Sequence, residues 1–177
     1  MALSLHTALI PSMLQVVGSV QKMVDKAEAY CDETSIPHGE IIGAKLADDM
    51  LPFAYQVKCC WSHSVLAIAG VRDGAFMPDM SPYPDSFEGL RDVLAKTASE
   101  LEAISEAELE ELAGKAMRFE IPGKFRLDFT GQDFLLSFSQ PNFYFHAATA
   151  YDILRMKGVR LTKSDFLGRM RATPSSA

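Results

Sequence analysis

The chain has 177 residues and a mass of 19.5 kDa, the size of one ordinary domain able to bury about 70% of its unfolded surface. Hydrophobic residues make up 48% and charged residues 23%, with a mean hydropathy of +0.04, which places the chain outside the disordered, collagenous and membrane-spanning classes. The net charge is −6 and the pI about 5.2, so no basic excess exists to displace counterions. Nucleic acid and an anionic membrane surface are disfavoured as partners.

Cys31, Cys59 and Cys60 are too few and too closely spaced for a disulfide framework. The N-terminus lacks the charged, apolar and small-residue regions of a signal peptide, and no apolar run reaches the ~18 residues of a membrane span. A cytoplasmic protein is the expectation.

Apolar residues recur in steps of three and four from Leu5 to about Thr34 (Leu9, Met13, Val16, Val20, Met23, Ala27, Tyr30), predicting a first helix capped by Ser4. Ser35 to Gly39 breaks it, and Glu40 to Leu46 suggests a short connecting helix. A second long helix is expected from Asp48 or Asp49 to about Gly70, with Asp49, Phe53, Gln56, Cys60, His63 and Ala67 on one unusually polar face. Gly74, Pro78, Pro82 and Pro84 make Val71 to Ser86 a loop.

Phe87 to Ile104 reads as a third amphipathic helix, and Ser105 as the cap of a further short one. Met117–Ile121 and Phe125–Phe129 alternate around Pro122-Gly123-Lys124, predicting a hairpin inserted at the edge of the helices. Thr130 to Asp133 caps a last long helix that passes Phe134, Phe138, Phe145, Ala148 and Ile153 and ends near Gly158. Pro141 is expected to kink it just before Asn142 and His146. The expected class is all-α, a four-helix bundle with a small β-hairpin before the last helix. It forms one domain over residues 1–168 with a flexible tail over 169–177.

The best chemical constellation is Gln56 on the second helix facing Asn142 and His146, four residues apart on the last. Two amides and one imidazole suit hydrogen bonding to a polar small molecule better than zinc. The same groups could instead satisfy one another in the core. Cys59 and His63, also four apart, and Cys60 offer a thiol and an imidazole on one helix. Asp48 and Asp49 read first as helix-start residues. No phosphate-binding glycine motif occurs.

Gly43 to Val57, Phe129-Thr130-Gly131-Gln132-Asp133, Pro141-Asn142-Phe143-Tyr144-Phe145-His146, Ala150 to Arg155 and Asp165-Phe166-Leu167-Gly168 resemble an uncharacterised domain-of-unknown-function family among the DinB/YfiT-like helical bundles. The resemblance implies a bundle that is often dimeric. It belongs to a superfamily assigned metal-dependent chemistry that also contains thiol-dependent isomerases and transferases. Metal-binding members of that superfamily use one histidine from the second helix and two from the last. Here His146 matches one of these positions, while Asn142 and Gln56 fall on the other two.

The reading that follows is a small polar pocket for a small molecule, with His146 as donor, base or ligand to a weakly held divalent metal. Gln56, Asn142, Asp49, Cys60 and His63 are the binding candidates. The alternatives are a metal- or thiol-dependent transferase or isomerase, and a non-catalytic homodimeric ligand-binding or structural bundle.

Overall fold

The first helix starts where its cap sits. In the computed structural model, which describes residues 3–173, the Ser4 hydroxyl accepts the Thr7 backbone N–H and α1 spans Leu5–Thr34. Its stripe of Leu9, Met13, Val16, Val20, Met23 and Ala27 is buried. Packing of that stripe carries the helix through the internal Pro11. Ser35 in the left-handed region, φ 58°, ends α1, and the Ile36 N–H closes on the Cys31 carbonyl.

The short connecting helix α2 is His38–Ile42, earlier than its expected position. The second long helix does not begin at Asp48 or Asp49. Those residues lie in an exposed turn, and α3 begins at Phe53 (Phe53–Trp61). The reason is Pro52: its ring pushes Leu51 out of the helical region, so no helix can run through from Asp49.

From α3 the chain continues through a π-helical turn, Ser62–Leu66, into α4, Ala67–Asp73, which stops at left-handed Gly74, φ 79°. The run therefore passes Gly70. Helix α5 (Phe87–Glu102) is capped by Ser86, and α6 (Glu106–Leu112) by Ser105.

The hairpin forms as β2 (Ala116–Ile121) and β3 (Phe125–Thr130), antiparallel with Phe119 opposite Leu127. A further strand, β1 (Ala75–Phe76), lies in the segment expected to be pure loop. It pairs in parallel with β2, Phe76 opposite Phe119, to give a three-stranded sheet in the order β1-β2-β3. Two residues carry no period-two pattern, so tertiary pairing alone defines this strand.

The last long helix comprises α7 (Gly131–Asp133), a second π-helical turn (Phe134–Ser139) and α8 (Gln140–Met156). Pro141 falls in the first turn of α8. The run is helical on both sides of Pro141, and the π turn directly before it takes up the irregularity that its missing N–H creates. Helix α9 (Lys163–Leu167) carries a Thr162–Asp165 capping box. Of the expected tail, 174–177 lie outside the described residues.

Helices α1 and α3 each pack against α5 and α8, while α4 packs on the sheet. Phe53, Phe87, Phe134 and Phe143 are fully buried among them. The fold is thus mostly helical with a small sheet, and no helix among the described residues is long and apolar enough to cross a membrane.

Gly131 marks the closest approach of a glycine to another stretch of backbone. A Cβ there would lie 2.2 Å from the Leu112 carbonyl oxygen and 2.7 Å from Val71 Cγ1. By contrast, nothing lies within 4 Å of a Cβ built on Gly18 in α1. Gly131→Ala is expected to destabilise by about 1–3 kcal/mol through overpacking, whereas Gly18→Ala stabilises by about 0.5–1 kcal/mol through helix propensity. Urea denaturation of the two variants checks both signs.

Candidate functional site

The two π turns meet. A π turn leaves carbonyl groups without their normal helical partner. In the first turn His63 adopts φ −93°, ψ 16°, outside helical geometry, and its carbonyl accepts the Ser139 hydroxyl from the second turn at 2.9 Å. Ser139 is wholly buried. This bond fixes the backbone of His63, a residue that lines a cavity, against the last helix.

The cavity measures about 210 Å³ and is lined by residues that include Tyr55, Cys59, His63, Asn142 and His146. Phe76 of β1, Phe119 of β2 and Phe138 of the second π turn complete its aromatic side. Phe119 and Phe138 pack with ring centroids 4.6 Å apart. The sheet is therefore a wall of the site.

Gln56 is buried at 2% exposure, so its amide must find partners. Its Nε2 donates to the Leu51 carbonyl at 2.8 Å, which turns Oε1 toward His146 Nδ1 at 2.7 Å. Only a protonated Nδ1 can donate to that oxygen. The neutral His146 ring therefore carries its proton on Nδ1 and a lone pair on Nε2.

Burial lowers the His146 pKa to about 4. His63 stacks beside it, centroids 5.4 Å apart and rings within 15° of parallel. Burial first, and then the neighbouring His146, bring His63 also to about 4. Both rings are neutral at pH 7. His63 Nδ1 is buried without a hydrogen-bond partner.

Asn142 lines the cavity, but its Nδ2 donates to the Phe138 carbonyl at 2.7 Å, within its own helix. Of the three groups expected to converge, Gln56 and His146 bond to each other, and Asn142 repairs backbone. Asp49 is exposed in the turn before α3, away from the site. Cys60 is fully buried in the core, its thiol facing the Gln56 carbonyl at 3.8 Å. Cys59, one position earlier, lines the cavity instead. Burial pushes its thiol up to about 12 despite a hydrogen bond to Tyr55, so at pH 7 it is a protonated thiol with little nucleophilic character.

The loop after β1 supplies Pro78 and Asp79 to the cavity. Asp79 is held by Lys58, Nζ to Oδ2 2.6 Å, with the side chains 5% and 17% exposed. The Lys58 Nζ also donates to the Ser81 carbonyl at 2.6 Å and hydroxyl at 2.8 Å. Burial alone would raise the Asp79 carboxyl. Hydrogen bonds from Lys58 and from the Ser81 backbone and hydroxyl, with the Lys58 charge, outweigh it and hold the group below its ordinary value.

Sequence reasoning missed Tyr55, Phe76, Phe119 and Asp79. The Tyr55–Cys59 spacing was the one available signal, because it points to the face one residue away from Gln56 and Cys60. A tightly held divalent ion would require more ligands than this. The Gln56 Oε1 is taken by His146, an amide oxygen such as that of Asn142 is a weak neutral ligand, and among the described residues no group of three or more His, Cys, Asp or Glu is placed to hold a metal.

Two predictions follow from this geometry. A histidine whose folded pKa lies below its unfolded value contributes full stability above about pH 6.5 and loses it as the unfolded chain takes up protons between pH 6.5 and 4. The loss is at most about 3 kcal/mol for each ring, and His63→Phe should flatten the fall in melting temperature over that window. Asp79→Ala leaves the buried Lys58 amine without its counter-charge, and urea denaturation should show a cost of about 3–5 kcal/mol.

No curated protein matches this sequence. A crystal structure of a DinB family member protein from Shewanella denitrificans superposes with a TM-score of 0.81 at 26% identity, covering 97% of this chain and 96% of that one. The family described as a domain of unknown function, DUF1993, matches residues 5–167. The chain therefore belongs to the DUF1993 family, a DinB-like helical family.

Proposed function

We propose that this protein is a four-helix bundle that binds a small molecule in the cavity between its second and last long helices, with His146 as the recognising group. The observation that carries this reading is the series Leu51 carbonyl, Gln56 amide, His146 imidazole. It spends the Nδ1 proton internally and presents Nε2 as a bare acceptor on a ring lining the cavity. A group with a pKa of about 4 is neutral at pH 7 and is a weak base. His146 thus accepts a hydrogen bond from the ligand, and the role of proton donor falls away.

An aromatic-walled cavity with a few polar groups is the usual build of a ligand site. The Gln56 amide acts as an orienting partner, since it holds the tautomer and ring plane that the ligand meets. A fragment screen by protein-observed NMR on the wild type and His146→Phe tests the reading. Compounds that shift cavity resonances in the wild type should lose about tenfold in affinity in the variant, the worth of one hydrogen bond. Equal binding to both proteins would remove His146 from the site.

A further inference from the structure

We infer that the ligand of this cavity is a neutral, hydroxyl-bearing molecule about the size of one aromatic ring, its hydroxyl donating to His146 Nε2 and accepting from His63. This rests on the reading of the cavity as a ligand site and goes beyond it by naming the chemical class.

Size comes first. A cavity of about 150 Å³ accepts benzene, so the roughly 210 Å³ here holds a single ring with one substituent. The aromatic faces of Tyr55, Phe76, Phe119 and Phe138 suit a flat apolar body.

Charge is decided by what the walls lack. His146 turns its Nδ1 proton to Gln56 and presents a lone pair at Nε2, which meets the oxygens of a carboxylate or phosphate unfavourably. The Lys58 amine is taken by Asp79 and by the Ser81 carbonyl and hydroxyl. Asp79 is likewise neutralised by Lys58 and offers no free charge to an ammonium ion. An ion of either sign would lose its hydration for no counter-charge.

The hydrogen-bond pattern then selects the polar group. His146 is an acceptor at Nε2 because Gln56 takes its Nδ1 proton. His63 has one proton to place. Its Nδ1 is sealed in without a partner, and a buried N–H without an acceptor is rarer than a buried lone pair without a donor. The proton therefore sits on Nε2, the nitrogen not sealed in this way. The two rings, centroids 5.4 Å apart, thus offer one acceptor and one donor side by side, the two functions that a hydroxyl combines.

The test titrates phenol, toluene, benzoate and benzylamine at pH 7 into wild-type protein carrying ¹⁵N-labelled histidine, followed by NMR of the His63 and His146 ring nitrogens. Phenol is expected to bind about tenfold more tightly than toluene and to shift His146 Nε2 in the direction of an accepted hydrogen bond. Benzoate and benzylamine are expected to bind more weakly than phenol. If toluene equals phenol, or if either ion binds more tightly with ring shifts, the hydroxyl class is overturned while the cavity stands as a ligand site. If none of the four moves either ring, the cavity reading fails with it. The comparison uses only wild-type protein, so no outcome depends on a variant that folds poorly.

Discussion

A buried amide must hydrogen-bond on both sides, and in this protein that requirement ties the second long helix to the last. Gln56 sits 2% exposed between the Leu51 carbonyl and the His146 imidazole. Each member of the series removes one freedom from the next. The carbonyl orients the amide, the amide selects the imidazole tautomer, and the tautomer leaves Nε2 as the acceptor of the ring. An amide carries no charge, so it orients the ring without favouring the imidazolium, and burial is free to keep the ring neutral.

The helices themselves are broken beside this contact. Each long run contains a π turn, and the carbonyl that His63 releases finds the Ser139 hydroxyl of the other run. The last helix thus supplies the donor that the broken turn of the second lacks. Irregular turns of this kind place side chains off the regular helical lattice, and the stacked His63 and His146 rings are the result here. The sheet and Asp79, which Lys58 holds, line further sides, so residues from well-separated parts of the chain share one small volume.

Against its crystallographic neighbour, the chain keeps the scaffold over nearly its whole length. The chemistry is a separate matter, since a fold can host many sites. Amides stand at two of the positions where metal-binding DinB-like proteins are expected to carry imidazoles. One of these amides orients His146 and the other repairs a helix carbonyl.

Much of the fold was legible in the sequence because helix signals are local. The stripe and cap of α1, the Ser105 cap and the turn at Gly123 each lie within a few residues of the structure they specify. The pairing of Gln56 with His146 was legible too, from the unusually polar face of the second helix and the four-residue spacing of Asn142 and His146 on the last. The start of α3 was misjudged because the Asp48–Asp49 signal outweighed the local veto of Pro52. Only the tertiary structure decided the rest. A two-residue parallel strand, two facing π turns and an acidic loop residue clasped by a buried lysine have no periodicity to read. Each exists because a distant segment satisfies a hydrogen bond or a charge that its own neighbours cannot. The sequence alone thus determined which segments coil and which side chains could meet, whereas long-range satisfaction of buried polar groups determined where they meet and in which protonation state.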